Sequence, residues 1–206
     1  MGRRFAELAF TPAVREQQRL HGSRHLYERV ENSTDLGNRL GEEERAFLES
    51  RDGFYMASVT ETGWPYIQFR GGEKGFLHVL DEQTIAFADL RGNKQYISLG
   101  NVQKDDRVAL FFMDYRRQSR LKILGRVRVY EGTEEARSWI EKLRVAGEKT
   151  PAERAMVIAV EAFDWNCPQH ITPRYTESEL AEILVPMRKR MEELEKENRM
   201  LREKAV

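Results

Sequence analysis

Short apolar runs separated by polar turns recur along the chain, and their composition is typical of β-strands. The first two runs flank Glu61-Thr-Gly63 and predict a hairpin, and the next two flank Asp81-Glu-Gln83 in the same way. Gly125 lies inside the sixth run, where a glycine is typical of a β-bulge. The predicted strands are residues 54–60, 64–70, 76–80, 84–88, 107–113, 120–130 and 155–161.

Helical periodicity is restricted to a few segments, and the predicted helices are residues 13–20, 42–49, 94–104 and 134–145. Because strand follows strand with few helices between, the pattern predicts a mainly β fold, a β-barrel with helical decoration. A Rossmann domain is not expected, since its strand–helix alternation and its G-x-G-x-x-G motif are both missing.

We expect three parts along the chain. Residues 1–50 form an N-terminal helical segment that packs on the barrel, residues 51–175 form the barrel, and residues 176–206 form a C-terminal amphipathic helix.

The C-terminal segment begins with a capping box, Thr176-Glu-Ser-Glu179, which predicts the start of a helix. A seam of apolar residues with one asparagine then follows a heptad spacing typical of a parallel dimeric zipper. An amphipathic helix folded onto its own domain is the alternative. Pro186 predicts that the regular zipper begins only after it. The seam consists of Leu180, Leu184, Met187, Met191, Leu194, Asn198 and Leu201.

Composition narrows the classes of function. The 206 residues include 34 basic and 34 acidic side chains, and this balance does not favour binding to nucleic acid or to a membrane, although a local basic patch remains open. No apolar run approaches the ~20 residues of a membrane span, and the N-terminus lacks the apolar core of a signal peptide. One cysteine and four scattered histidines form no zinc-site spacing. The single cysteine, Cys167, cannot form an intrachain disulfide, so a reducing, cytoplasmic location is expected.

The polar turn at residues 88–98 is the best candidate for ligand binding. Asn93, Lys94, Gln95 and Ser98 bring one cation and three neutral donors together, as a bound phosphate requires, and Gly92 permits close approach of the backbone. A helix starting near Asn93 would add its free N–H groups. The alternative is a solvated turn with a helix cap.

Gln68 and Arg70 lie two residues apart on a predicted strand and therefore share one face. Arg70 is suited to a bidentate clamp on a phosphate, and Gln68 to the edge of a ring. Ile67 and Phe69 would then face the barrel core. An exposed polar face of a surface strand is the alternative interpretation.

The segment Asp164–Arg174 is neither a periodic helix nor a strand. Trp165 offers a surface for stacking, and Gln169, His170 and Arg174 offer donors. Cys167 is either a nucleophile or a small buried thiol, and the absence of a fixed histidine partner favours the thiol. His78 and Asp81 are weaker candidates for a site.

Four motifs together resemble one known family. They are Arg51-Asp-Gly-Phe-Tyr55, Gly63-Trp-Pro-Tyr66, Gly92-Asn-Lys-Gln-Tyr-Ile-Ser98 and Asp164-Trp-Asn-Cys-Pro-Gln-His-Ile171. From about Phe5 to Thr176 the chain resembles the FMN-binding split-barrel family typified by pyridoxamine 5′-phosphate oxidase, and especially an oxidase-related subgroup. The zipper segment lies outside the resemblance.

The resemblance implies a homodimer with FMN at the subunit interface, each site built from both subunits. It assigns the flavin phosphate to Arg70, Asn93, Lys94, Gln95 and Ser98. Gln68, Phe69 and Trp165 would lie near the ring. Gln169 would also contact the cofactor, and His170 and Arg174 would contact a small-molecule substrate. The partner subunit would supply these three residues and Trp165.

Two departures from the family's pattern matter. The turn reads Gly92-Asn-Lys-Gln95 where the oxidases read more like Gly-Ser-Arg-Lys, so it carries less charge. The oxidases also end in an Arg-Leu-x-Pro motif that holds the substrate, whereas this chain runs through Cys167–Arg174 into a helix. We therefore predict an FMN-dependent oxidoreductase that does not act on vitamin B6, with no catalytic side chain identified. The alternative is a non-catalytic flavin- or haem-binding sensor or storage module with a coiled-coil partner helix.

Overall fold

A computed structural model describes residues 1–165 and 169–204. The chain divides into two compact units, Met1–Asp114 with Ser119–Pro168, and Tyr115–Gln118 with Gln169–Val206. No helix among the described residues combines the length and the apolar character that crossing a membrane requires.

The first unit is built on one antiparallel sheet of seven strands in the order β2-β1-β5-β6-β7-β4-β3. Six helices accompany the sheet, so the predicted mainly β class with helical decoration is confirmed. The strands are β1 Gly53–Val59, β2 Pro65–Gly71, β3 Leu77–Asp81, β4 Thr84–Leu90, β5 Arg107–Asp114, β6 Ser119–Tyr130 and β7 Ala152–Trp165. The helices are α1 Arg3–Ala9, α2 Pro12–Leu20, α3 Arg24–Glu31, α4 Glu42–Glu49, α5 Ile97–Lys104 and α6 Glu134–Lys142.

The core lies on the inner face of this sheet, where alternate residues of the strands are apolar and buried. Phe54 of β1 is at its centre, with its ring centroid 4.8 Å from that of Phe112 and 5.3 Å from that of Phe87. Phe47 and Leu48 of α4 are buried as predicted. Helix α4 therefore covers part of the core. Its amphipathic spacing allowed it to be predicted from the sequence.

Gly125 marks an irregularity in the pairing of β6 with β7, as predicted. A Cβ at this position would lie 2.6 Å from the backbone oxygen of Ala159 and 2.8 Å from Cγ2 of Ile158. The close approach of the two strands therefore requires a residue without a side chain at this point.

Several boundaries differ from the sequence-based predictions. The helix expected from residue 94 begins at Ile97, because Lys94 and Tyr96 adopt a left-handed backbone with φ of 61° and 54°. Strand β7 runs from Ala152 to Trp165, so the prediction that Asp164 and Trp165 lie outside any strand was wrong.

The second unit contains helix α7, which spans Glu177–Lys204. The predicted capping box is present: the amide of Thr176 donates to Oε2 of Glu179 at 2.8 Å, and the amide of Glu179 donates to Oγ1 of Thr176 at 3.3 Å. Pro186 lies inside the helix and does not end it, and the expected start of a regular zipper after this residue stays a prediction.

Candidate functional site

The polar residues of β2 lie over the inside of the barrel, and its apolar residues lie outside. Strand β2 is at the edge of the sheet, and residues directly opposite in neighbouring strands share a face. The pairs that share the inner face are Phe54 with Arg70, Met56 with Gln68, and Ser58 with Tyr66. Ile67 and Phe69 are 61% and 56% exposed, so the prediction that they face the core was wrong.

Arg70 is held by a buried carboxylate. Its Nη1 donates to Oδ1 of Asp89 at 2.8 Å, and the Asp89 side chain is only 4% exposed. The Nε of Arg70 is buried and has no hydrogen-bond partner among the described residues. One donor of the guanidinium is therefore fixed in place while its Nε–H remains available to a ligand.

Arg154 of β7 shares the same carboxylate. Its Nη1 donates to Oδ2 of Asp89 at 2.8 Å, and its Nη2 donates to Glu131 at 2.9 Å and to Glu153 at 3.0 Å. Burial alone would lower the pKa of Arg154, but the hydrogen bonds to Asp89 and Glu131 outweigh it and raise that pKa. Arg154 therefore stays charged and supports the end of β4 that carries Asp89.

The turn after β4 brings the predicted donors beside these arginines. Oδ1 of Asn93 accepts from the amide of Gln95 at 3.2 Å, which stabilises the turn. The guanidinium of Arg154 lies 5.4 Å from the centre of the Tyr96 ring. Lys94 is exposed, and Ser98 in the first turn of α5 is buried.

Two adjoining cavities, of about 60 Å³ and 420 Å³, meet at this place and share Gln68, Arg70, Asp89, Leu90 and Gly92. The smaller cavity also contacts Tyr66, whose hydroxyl donates to Oε1 of Gln68 at 2.5 Å. The candidate site consists of this pair of cavities. The structure thus brings together the following predicted residues: Gln68, Phe69, Arg70, Asn93, Lys94, Gln95 and Ser98.

Trp165 is not part of this group in the chain. Its ring packs edge-on against Phe47 at 4.7 Å between centroids, and its Nε1 donates to Oε1 of Glu44 at 2.7 Å. These contacts attach α4 to β7 and explain its partial burial. The predicted place of Trp165 beside a flavin ring stays a prediction.

The remaining candidates are distributed elsewhere. Gln169 and His170 are exposed residues of the second unit, and Arg174 of that unit lies 4.9 Å from the centre of the Tyr115 ring. Cys167 lies outside the described residues.

The two weaker candidates have local contacts. His78 Nε2 is 3.2 Å from the carbonyl oxygen of Leu143, and Asp81 accepts from the amide of Gln83 at 2.7 Å in the β3–β4 turn. These contacts are structural.

Asp89 and Arg154 were missed by reasoning from the sequence. Asp89 was counted with the polar turn because β4 was predicted to end at residue 88, and β7 was predicted to start after Arg154. Both residues continue the alternation of their strands onto the buried face. The sequence could have revealed them, because each charged residue occupies a position that the alternation of its strand assigns to the buried face.

The arrangement suits an anionic group. Arg70 and Lys94 supply positive charge, whereas Arg154 is already paired with three carboxylates. Asn93 and Gln95 supply amides, and a phosphate binds best where such donors converge. The unpartnered Nε–H of Arg70 is the observation that fits a phosphate, because a buried donor of this kind gains from an incoming acceptor. Among the described residues, no group of three or more His, Cys, Asp or Glu side chains is placed to hold a metal ion.

Comparison with known proteins identifies relatives. Residues 40–167 match the sequence model of the family described as pyridoxamine 5′-phosphate oxidase. No curated protein matches the chain.

Among solved structures, similarity extends to a candidate pyridoxamine 5′-phosphate oxidase from Lactobacillus delbrueckii, with 23% identity, 62% of this chain and 94% of that chain covered, and a TM-score of 0.48. HupZ of Group A Streptococcus has 16% identity, coverages of 66% and 99%, and a TM-score of 0.47. An FMN-binding protein from Syntrophomonas wolfei has 13% identity, coverages of 75% and 95%, and a TM-score of 0.43.

Proposed function

The chain belongs to the pyridoxamine 5′-phosphate oxidase family, and from this premise we propose that it is an FMN-binding oxidoreductase. The bound flavin would supply the hydride or electron transfer. The residues of this chain would bind the phosphate, orient the ring and exclude water from it. The proposal names no catalytic side chain.

The observation that carries the proposal is the buried, unpartnered Nε–H of Arg70 beside the donors of the 92–98 turn. Arg70 would donate to the phosphate while Asp89 holds the other side of its guanidinium. Asn93, Lys94, Gln95 and Ser98 would complete the phosphate contacts, and Gln68 would lie toward the ring. This set combines charge-assisted and neutral donors, which a phosphate ester requires.

The proposal includes a homodimer in which the partner subunit completes the ring pocket. The outer face of β1 and β2 supports it, because this face exposes large apolar side chains that a monomer would leave in water. Their exposed fractions are 37% for Tyr55, 38% for Val59, 61% for Ile67 and 56% for Phe69. His170 and Arg174 keep their sequence-based assignment to the substrate side.

The substrate would be a small molecule other than a vitamin B6 phosphate, because the chain lacks the Arg-Leu-x-Pro motif of the oxidases. The alternative, a flavin- or haem-binding sensor or storage module, differs from an enzyme in turnover. An enzyme reoxidises its flavin and consumes NAD(P)H with an acceptor, whereas a storage module holds its ligand without turnover.

The experiment is a titration of the purified protein with FMN and, in parallel, with riboflavin, followed by flavin fluorescence. We expect FMN to bind more tightly than riboflavin by at least tenfold, because only FMN offers the phosphate to Arg70 and the turn. Addition of NADH or NADPH to the FMN complex should then bleach the flavin absorbance. Equal affinity for the two flavins would overturn the phosphate assignment, and a flavin that no reductant changes would favour the storage module.

A further inference from the structure

The described residues leave the apolar seam of α7 exposed. None of the described residues of this helix is buried. The seam residues Leu180, Leu184, Met187, Met191, Leu194 and Leu201 are between 42% and 60% exposed. Most of the stability of a helix in a protein comes from packing of its apolar face, and a heptad seam along a 28-residue helix is typically covered by another helix.

The position of Asn198 restricts how a second helix can lie. An asparagine in a seam is satisfied best by the same asparagine of the other helix. A parallel pair in register places Asn198 against Asn198 and also matches every other seam residue with its own copy. An antiparallel pair centred on Asn198 would overlap only residues 192–204, since α7 ends at Lys204, and would leave the first half of the seam uncovered.

The charged residues beside the seam are compatible with the same arrangement. In a parallel pair in register, a residue that flanks one side of the seam faces the residue five positions later in the other helix. Arg190 would face Glu195, and Glu197 would face Arg202, so both contacts join opposite charges, and symmetry repeats each of them. Within the single helix Arg190 pairs with Glu193 at 3.2 Å, but both side chains are more than half exposed, so this weak pair can exchange.

We propose that α7 is a homodimerisation element, in which the seam of one chain packs against the seam of a second copy as a parallel, in-register two-stranded coiled coil. The occupant of the seam is therefore a second copy of this chain, as the position of Asn198 indicates and as the flanking charges allow.

Disulfide trapping in the full-length chain tests the arrangement. In a Cys167→Ser background, Leu201→Cys places a thiol in the seam and Glu203→Cys places one on the outer side of the same helix. A parallel pair brings the two thiols at position 201 together. A fully overlapped antiparallel pair separates them by about 30 Å, given a rise of ~1.5 Å per residue. A disulfide needs Cα atoms within about 7 Å.

We expect mild oxidation to link at least five times more Leu201→Cys chain than Glu203→Cys chain. Equal yields at the two positions, or no linked dimer at position 201, would overturn the proposal. A seam made for a different protein would give the second of these results in the purified chain.

Charge reversal provides a second readout in the same Leu201→Cys background. Arg190→Glu with Arg202→Glu makes all four flanking positions acidic, and Glu195→Lys with Glu197→Lys makes all four basic. Each variant alone should lose most of its disulfide yield, and a mixture of the two should restore it as a heterodimer. The matched control is Lys189→Glu with Lys196→Glu on the outer side, which should keep the original yield. Unchanged yields in both charge variants would also contradict the parallel arrangement.

Discussion

Arg70 and Arg154 share one carboxylate: each donates at 2.8 Å to a different oxygen of Asp89. Two guanidinium groups from β2 and β7 are thereby fixed at the end of β4. The three side chains are mostly buried, with exposed fractions of 17% for Arg70, 6% for Arg154 and 4% for Asp89. The candidate site is therefore built on a charged cluster whose members come from three separate strands.

Replacement of Arg70 tests its role in binding the phosphate. We expect Arg70→Ala to weaken FMN binding by about 2 kcal/mol, roughly 30-fold in Kd, because a charge-assisted contact is lost. Riboflavin affinity should change by less than about twofold, since riboflavin has no phosphate. Fluorescence titration gives both constants. Arg107→Ala is the control, because Arg107 is 70% exposed and pairs with Asp105 on the surface. An unchanged FMN affinity in Arg70→Ala would remove Arg70 from the site.

Neutralisation of Asp89 should destabilise the fold. Asp89→Asn leaves two buried guanidinium groups without their shared carboxylate, and loss of one member of a buried ion pair costs about 3–5 kcal/mol. Urea unfolding measures the change in free energy. Glu131→Gln is the matched control, because this partner of Arg154 is 44% exposed and its contribution is below about 1 kcal/mol. Similar stabilities of the two variants would show that Asp89 is not central to the cluster.

Because β6 and β7 approach closely at Gly125, we expect a larger residue at this position to lower the stability of the fold. Gly125→Ala places its Cβ against the Ala159 carbonyl, and the strain should lower the free energy of unfolding by about 1–3 kcal/mol. Gly100→Ala in α5 is the control, since its Cβ would meet no atom within 4 Å and alanine favours a helix by up to about 1 kcal/mol. Thermal unfolding of both variants measures the difference. A Gly125→Ala chain as stable as the parent would contradict the steric account.

The contacts of Trp165 favour a structural role. Trp165→Phe removes the hydrogen bond to Glu44 and should cost about 1 kcal/mol in stability. We expect the Kd for FMN to stay within about twofold of the parent value, because the ring packs on Phe47 rather than in the site cavities. Chemical unfolding and flavin titration of the same variant separate the two roles. A large loss of flavin affinity at unchanged stability would instead place Trp165 at the flavin ring.

The sequence predicted the strands well because their alternation of apolar and polar residues reflects one buried face. Helices α2 and α4 were predicted from their composition and apolar spacing. Helix α3 was missed: none of its residues is buried, and its few apolar residues form only a short pattern. It is held by the edge-on contact of Tyr27 with Phe10, 5.2 Å between centroids, and by ion pairs such as Arg15 with Glu31 at 3.1 Å. The hydrogen bond from Arg24 is the main cause of the lowered pKa of Glu31.

The candidate site was only partly predictable. The donors of the 92–98 turn were predictable because they are close together in the sequence. Arg70 was predictable because it shares a strand face with Gln68. The partner of Arg154 is 65 positions away, and no local pattern shows that the two meet. The orientation of β2 was predicted incorrectly because apolar residues normally face the core, whereas this edge strand turns Ile67 and Phe69 outward.

The left-handed backbone of Lys94 and Tyr96 affects which part of the molecule unfolds locally first. Residues with side chains adopt this conformation at a cost on the order of 1 kcal/mol each. The loop therefore adopts this strained conformation without a ligand. The strain lowers the stability of the loop relative to the strands beside it. In hydrogen exchange, its amides should therefore open earlier than those of the adjoining strands, and a bound anion should slow them first.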